Sequence, residues 1–399
     1  MRELEFLEDE DEISQDVFDQ LFRYPHSTPL CPRLLKLSWL ADSIFGGDFV
    51  HFFSPQLQEV YLASRPETLF SFSHAISALP ISSLKTLRLS VLGDEAVREA
   101  TSSLFRTFPE SLTTLEVSRM GQLQARTWCR ILLPFSRLRS LETDQFPPAR
   151  LPPSIPTFLP DLRKARFIGP AASRWIHFLS EHNGQMVSLQ TGSRPRVVAP
   201  FLLHLYCGYP AELDGASLSC FLIFRNLFKL HIGSGCSVER CSFHLIDEDI
   251  RRLAIQLPGL RYLFLGAVCP HNTCMTTVNS LLVLSTHCKW LHGLSIHFST
   301  TNLLRDVKGS FKNLLRRSPS PPSRCPLSVL NVSLAPLPSD ALGGEVFLIL
   351  AGLMDIFPRL QRINVPSRVN DNARGWHELN AHISSFQEMR GSLPAIFTQ

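Results

Sequence analysis

Apolar side chains recur along this chain in one short pattern: an apolar residue, a second three positions later, and a third two positions after that. The segment 257–266, LPGLRYLFLG, shows it most clearly, with Leu260, Leu263 and Leu265 at the three positions. Successive side chains of a strand point to opposite faces, so Leu263 and Leu265 share one face. The pattern predicts a strand at Arg261–Leu265 with one apolar face.

The pattern recurs twelve times, from one end of the chain to the other. Its first apolar positions are Leu34, Leu57, Leu84, Leu112, Leu138, Leu162, Met186, Leu227, Leu260, Leu291, Leu327 and Leu360. The shortest interval, from Leu34 to Leu57, is 23 residues, and the longest, from Met186 to Leu227, is 41 residues and has room for a further unit. A strand-forming pattern that recurs at such intervals is typical of a leucine-rich-repeat solenoid.

Between the predicted strands lie segments whose apolar residues have the spacing of a helix. The predicted helices are Thr68–Leu79, Asp94–Thr107, Ser173–Glu181, Asp247–Gln256, Met275–Thr286, Asn302–Arg317 and Ala341–Phe357. Strands that alternate with helices through short connections are parallel and joined by crossovers. We therefore predict an α/β fold, a curved horseshoe with parallel strands on the concave face and helices on the convex face.

Three regions follow from this pattern: an acidic segment and cap at 1–30, a solenoid of about 12 units at 31–373, and a capping helix and tail at 374–399. Seven of the first twelve residues are acidic, which indicates a solvated tail or the start of a helix. Six prolines within 145–160 predict extended chain in place of a helix there. Solenoids need caps because an uncapped end unit leaves its apolar face exposed to water.

Composition excludes several classes of protein. Apolar residues make up 44% of the chain and charged residues 19%, as in a folded protein with a large core. The net charge of +4 is too small to imply a nucleic-acid or membrane partner. No basic region followed by an apolar run opens the chain, and no apolar run is long enough to span a membrane. The ten cysteines then indicate reduced thiols in a cytosolic or nuclear protein.

Motifs for catalysis and for cofactor binding are absent from the sequence. The pair Gly233 and Gly235 lacks the third glycine of a dinucleotide-binding loop, and no GxxxxGK[ST] segment occurs. Neither G-x-S-x-G nor HExxH occurs either. We expect no catalytic residue and no cofactor.

Four cysteines occupy matching places in two neighbouring repeats. Cys236 and Cys241 lie 9 and 14 residues after the first apolar position of their repeat, and Cys269 and Cys274 lie 9 and 14 residues after theirs. Neighbouring strands lie about 4.8 Å apart, so the four thiols are expected to converge. They fit packing beneath a duplicated loop better than tetrahedral zinc, because the spacing within each pair is wider than that of C-x-x-C.

Polar and aromatic residues between the apolar strand positions are expected on the concave face. The candidates for partner binding are Arg88, Arg166, His231, Phe264 and His297. Phe264 and His297 are predicted beside His231 in register, as a ridge of aromatic and imidazole rings. Arginine and aromatic residues dominate the binding energy of protein interfaces. The alternative is a solvated strand face with no partner.

The repeats LPGLRYLFLG, FPRLQRINVP, SPQLQEVYLA and PLCPRLLKLSW resemble those of F-box proteins, particularly the large fungal set. The resemblance implies an N-terminal F-box that docks on a Skp1-type adaptor, and repeats that present a substrate to a cullin-based ubiquitin ligase. Residues 1–30 lack the Leu-Pro-x-Glu opening of an F-box. We therefore expect adaptor binding only if an F-box is present upstream.

The leading hypothesis is a non-enzymatic scaffold that recognises a protein, resembling the substrate-binding region of an F-box receptor. The alternative is a leucine-rich-repeat interaction or inhibitor protein unrelated to ubiquitination. A third hypothesis is a metal-dependent or RNA-binding activity, supported by the cysteines or the arginines. Nucleic acid and membrane are not the expected partners.

Overall fold

The chain folds into two compact units, Met1–Leu202 and Leu203–Gln399, both built on parallel strands. The computed structural model describes residues 2–7, 29–41, 51–64, 83–91, 111–118, 132–145, 147, 157–168, 172, 174–175, 178, 197–198, 202–207, 213–233, 243–266, 275–296, 298, 325–332, 344–364 and 374–392.

The strands of the first unit pair side by side in chain order, and every described pairing is parallel. They are β1 (Glu3–Leu7), β2 (Lys36–Ala41), β3 (Glu59–Ser64), β4 (Thr86–Val91), β5 (Thr114–Ser118), β6 (Ser140–Thr143) and β8 (Lys164–Phe167). Two short strands, β7 (Thr157–Phe158) and β9 (Val197–Val198), form a separate parallel pair. Thr157 and Phe158 are extended, as predicted for the proline-rich segment.

The second unit repeats this arrangement with helices between its strands. Its strands are β10 (His204–Cys207), β11 (Lys229–Ile232), β12 (Tyr262–Leu265), β13 (Gly293–Ile296), β14 (Val329–Val332) and β15 (Arg362–Asn364). Its described helices are α1 (Gly215–Ser219), α2 (Asp247–Gln256), α3 (Val278–His287), α4 (Gly344–Ile356) and α5 (Arg374–Ser392). The strands pair in parallel and in chain order, which confirms the predicted α/β repeat fold with its open parallel sheet.

In every repeat whose three pattern positions are described, all three are buried, and all are apolar except Thr143. Leu260, Leu263 and Leu265 are all 0% exposed. Register pairing places the second apolar positions of neighbouring strands opposite one another: Leu37, Val60, Leu87, Leu115, Leu141 and Ala165 in the first unit, and Leu205, Leu230, Leu263, Leu294, Leu330 and Ile363 in the second. A slip of one residue would expose a whole row, so burial determines the register.

The long interval after Met186 contains the further repeat for which the sequence left room. Leu202, Leu205 and Cys207 are buried at its three apolar positions, and β10 is its strand. The pattern was missed because its third position is cysteine, which packs as a small apolar residue. Met186 itself lies outside the described residues.

The N-terminal segment differs from the expected solvated tail or helix. Residues Glu3–Leu7 form β1, which pairs in parallel with β2. Glu3 lies opposite Lys36, with its carboxylate 4.0 Å from the ammonium group. This pairing extends the sheet of the first unit by one strand before the first predicted repeat. The acidic residues 8–12 lie outside the described part of the chain.

Three of the predicted helices fall wholly or largely within the described residues and are found there. The predicted helix Asp247–Gln256 is α2, with Ile250, Leu253 and Ala254 buried. The segments Met275–Thr286 and Ala341–Phe357 contain α3 and α4 with boundaries shifted by up to three residues. The predicted helices at 68–79, 94–107 and 302–317 lie outside the described residues, and 173–181 does so except for positions 174, 175 and 178.

Gly266 ends β12 in a conformation that favours glycine. Its φ is +61°, in the left-handed region. A Cβ atom at this position would lie 2.5 Å from Cδ2 of Phe243, which is itself buried. Both the backbone angle and the phenylalanine ring therefore select against any side chain here.

Helix α5 covers the last strand of the second unit. The Ile363 amide of β15 donates to Oδ1 of Asn380 at 2.8 Å, and Nε2 of Gln387 donates to the Leu360 carbonyl at 2.7 Å. These side chains occupy backbone groups that an edge strand would otherwise offer to another chain. Within the described residues, none of the helices is both long enough and apolar enough to cross a membrane.

Candidate protein-binding surface

The side of each sheet that faces away from the leucine core is called here the open face. In the first unit its central row consists of charged residues in register: Arg88, Glu116, Glu142 and Arg166 on β4, β5, β6 and β8. Nε of Arg88 lies 3.0 Å from Oε2 of Glu116, and Nη1 of Arg166 lies 3.2 Å from Oε1 of Glu142. The two arginines predicted to bind a partner are thus each paired with a carboxylate of the same sheet.

Two carboxylates lie side by side at the centre of this row. Burial of its carboxyl group raises the pKa of Glu116 above the ordinary value; Arg88 opposes the rise, and the charge of Glu142 adds to it. The ionised form of Glu116 is therefore less favourable in the folded chain than in water. The folded state takes up this proton before the unfolded state does, as the pH falls.

We expect Glu116→Gln to raise the free energy of unfolding at pH 7. Glutamine resembles the protonated carboxyl group, which the folded environment favours. Above the folded-state pKa of Glu116, its ionised carboxylate destabilises the folded chain. This destabilisation disappears as the pH falls to the ordinary pKa of a glutamate. The gain of the variant over the natural chain should therefore shrink between pH 7 and about pH 4.5. Urea titrations at several pH values measure it.

Glu248, a surface carboxylate whose pKa is shifted in the opposite direction, provides the control. Hydrogen bonds from Arg251 lower the pKa of Glu248 to about 2. Glu248→Gln should therefore lower stability at pH 7, and that loss should shrink as the pH falls toward 2, because the ionised form is the favoured one here. If Glu116→Gln instead lowered stability at pH 7, the unfavourable placement of the Glu116 charge would be contradicted.

The open face of the second unit carries a cluster of rings. Tyr206, His231 and Phe264 lie opposite one another on β10, β11 and β12. The ring centroids of His231 and Phe264 are 5.3 Å apart and stacked, and those of Tyr206 and His231 are 5.7 Å apart. Ser295, not His297, lies opposite Phe264 on β13, which corrects the predicted ridge. His297 itself lies outside the described residues.

Lys229 lies among these rings. Its Nζ is 5.0 Å from the ring centroid of Tyr206, 5.5 Å from that of Tyr262 and 5.7 Å from that of Phe264. A cation above an aromatic face is attracted by the ring quadrupole, so the rings stabilise this position of the ammonium group. We call Tyr206, Lys229, His231, Tyr262 and Phe264 the aromatic surface.

A glycine on the neighbouring strand makes room for the aromatic surface. Gly293 of β13 lies opposite Tyr262, and a Cβ atom there would be 2.9 Å from Cδ1 of the tyrosine ring. Glycine within a strand often marks a place where another group approaches the backbone closely. Tyr262 is nonetheless 41% exposed, so much of its ring is available to a partner. Tyr206 could not be predicted here, because its repeat was hidden in the long interval.

The cysteines that the structure describes are mostly buried thiols. Burial raises the pKa of Cys207 far above its ordinary value, that of Cys288 to about 12 and that of Cys325 to about 11, so these side chains remain protonated at neutral pH. Only the thiolate is a good metal ligand. The zinc candidates Cys236, Cys241, Cys269 and Cys274 lie outside the described residues.

The repeated strands and their buried leucine rows define a leucine-rich-repeat protein by fold. No family model matches the chain. No curated protein matches it either. Among solved structures, the chain is similar to one in the crystal structure of the Rad7 and Elc1 complex in yeast, with 16% sequence identity and a TM-score of 0.41. The match covers 86% of this chain and 81% of that chain.

Proposed function

We propose that this chain is a non-enzymatic scaffold that binds a partner protein through the aromatic surface of its second unit. The observation that carries the proposal is the group of rings around Lys229 on the open face. Tyrosine and other aromatic residues supply large contact areas at low entropic cost, and they are enriched among residues that dominate binding energy. Tyr262 offers such a contact without rearrangement of the sheet.

The second unit is favoured over the first because of how the charges are arranged. On the first open face, Arg88 and Arg166 are each paired with a glutamate. A partner would have to displace or share those ion pairs. Lys229 forms no ion pair among the described residues, so its charge is available to a partner.

A finer proposal is that the partner is a substrate of a cullin-type ubiquitin ligase. It is supported by the resemblance of the repeats to those of F-box proteins, and it requires an F-box upstream for docking on a Skp1-type adaptor. The alternative is a repeat protein that binds or inhibits its partner without ubiquitination. Either role places the chain in the cytosol or the nucleus and needs no catalytic residue.

The test is a quantitative pulldown from native cell extract with the chain and with the double variant Tyr262→Ala/Phe264→Ala. Removal of residues that dominate an interface typically costs 2 kcal/mol or more, so we expect the partner to be depleted about thirtyfold or more. Ile255→Ala is the matched control, because Ile255 is an exposed apolar residue on α2, outside the open face. Circular dichroism verifies that each variant is folded.

Quantifying Skp1 and cullin in the same pulldown separates the two roles. Their recovery, with a chain extended upstream in the genome, supports the ubiquitin-ligase receptor. Recovery of a partner that depends on Tyr262 and Phe264, without adaptor or cullin from either version, supports the alternative. A partner retained equally by the natural chain and the double variant contradicts binding through the aromatic surface.

A further inference from the structure

We infer that the aromatic surface binds an acidic segment of its partner protein, with the Lys229 ammonium group receiving a carboxylate. This inference rests on the proposed function and specifies the chemistry of the partner. Three observations support it. The second open face is positively charged, three rings hold the Lys229 ammonium group in place, and faces of these rings are already covered by Lys229 and His231.

The second open face is cationic. Its strands and the residues that lead into them span 203–207, 228–232, 261–265, 292–296, 328–332 and 361–364. These segments contain Lys229, Arg261 and Arg362 and no aspartate or glutamate. The corresponding strands of the first unit carry Glu3, Glu5, Glu59, Glu116 and Glu142 among their cations. Charge complementarity therefore selects an acidic partner for the second unit.

Lys229 is held in place without an acidic neighbour. Its ammonium group contacts the rings of Tyr206, Tyr262 and Phe264, and within the described part of the chain it makes no ion pair. Contact with three rings restricts a side chain that is otherwise flexible, so less entropy is lost when a ligand binds. A carboxylate that reaches Nζ forms a charge-assisted hydrogen bond with the ammonium group.

Arg261 supplies a further cation where the chain enters β12. Its guanidinium carbon lies 4.9 Å from the ring centroid of Phe228, which precedes Lys229 in the chain. The backbone amide of Arg261 donates to the carbonyl of Phe228, so the two residues are neighbours in the ladder. This cation adds to the positive charge of the segments that form the second open face.

Nucleic acid fits this surface less well than an acidic peptide. Binding to single strands uses free aromatic faces on which bases stack. Here the Lys229 ammonium group lies over the rings of Tyr206, Tyr262 and Phe264, and Phe264 is also stacked with His231 at an interplanar angle of 28°. Single-strand binding also uses a groove of cations along the backbone, and this face has three.

The test measures binding of short fluorescent peptides to the full chain by fluorescence polarisation. One probe contains aspartate and glutamate in an otherwise neutral sequence, and its partner has asparagine and glutamine in their place. We expect the acidic probe to bind at least about tenfold more tightly than the amide probe, and Lys229→Met to remove that advantage. Lys229→Arg should retain it, and Lys289→Met, which changes an exposed lysine after α3, should bind like the natural chain.

Two results would overturn the inference directly: equal affinity for the acidic and amide probes, or an acidic-probe affinity unchanged by Lys229→Met. Tighter binding of a short oligouridine RNA than of the acidic peptide, lost in Lys229→Met, would overturn it in favour of nucleic acid. Lys229→Met also enters the pulldown with Tyr262→Ala/Phe264→Ala. A partner lost from the double variant but kept by Lys229→Met overturns the acidic-segment inference and leaves the scaffold proposal intact.

Discussion

Leu263→Ala should lower the free energy of unfolding of the second unit by about 3.5 kcal/mol, the middle of the range for buried leucines. Leu263 is 0% exposed on β12 and lies opposite Leu230 on one side and Leu294 on the other. Truncation leaves a cavity between Leu230 and Leu294, whose strands are held in place by backbone pairing with β12, so the neighbours close it only in part. Urea denaturation followed by circular dichroism measures the change.

Ile255→Ala on α2 is the matched control for this loss. Its side chain is 43% exposed, so its truncation should change stability by no more than about 0.5 kcal/mol. A loss below about 1 kcal/mol for Leu263→Ala would contradict the central place of this leucine in the core, since Leu→Ala changes at closed sites cost more.

Asp247→Ala should cost about 2–3 kcal/mol, because one carboxylate joins two helices. Its Oδ1 accepts from the backbone amide of Thr277 and from the Ser280 hydroxyl, and its Oδ2 accepts from the Thr277 hydroxyl, each at 2.6 Å. Thr277 is the N-cap of α3, so the contact links the first turn of α2 to the start of α3. Losing it leaves partly buried donors without their acceptor. Because the three bonds share one group, their energies do not add.

Asp247→Asn separates charge from shape. It keeps the size of the side chain but exchanges one accepting oxygen for a donating amide, so we expect roughly half the loss of the alanine variant. Glu248→Ala is the neighbouring control: among the residues that the structure describes, Glu248 forms ion pairs with Arg251 and Arg252 of its own helix, both exposed. A thermal midpoint for Asp247→Ala no lower than that for Glu248→Ala would refute the role of Asp247 as a link between helices.

The charged row of the first unit and the aromatic surface of the second show how strand positions on the open faces acquire different properties. Arg88 and Arg166 are exposed strand residues of the kind expected to bind a partner, yet each lies next to a glutamate on the adjacent strand. Lys229 lies two positions earlier in its strand than these arginines do in theirs, and it lies next to rings instead. These neighbours are separated by 23 to 33 residues along the chain, and sequence alone does not reveal them because cross-strand contact depends on register.

What the sequence by itself determined is the local part of this protein. The pattern of three apolar positions that begins at Leu260, together with its other occurrences, predicts the strands and their buried faces. It does so because alternation along a strand depends only on nearby residues. The acidic first turn and apolar stripe of Asp247–Gln256 predict α2 for the same reason. The parallel arrangement follows from the regular alternation of strands and helices.

Only the tertiary structure decided which side chains meet across strands. The pairing of β1 with β2 was beyond prediction, because a short acidic segment becomes a strand only when an edge is available to it. His297 was expected next to Phe264, but register places Ser295 there. The position of Lys229 among three rings depends on the side chains of three strands and on the space left by Gly293. These contacts join residues distant in sequence, and packing of the buried rows determines the register that brings them together.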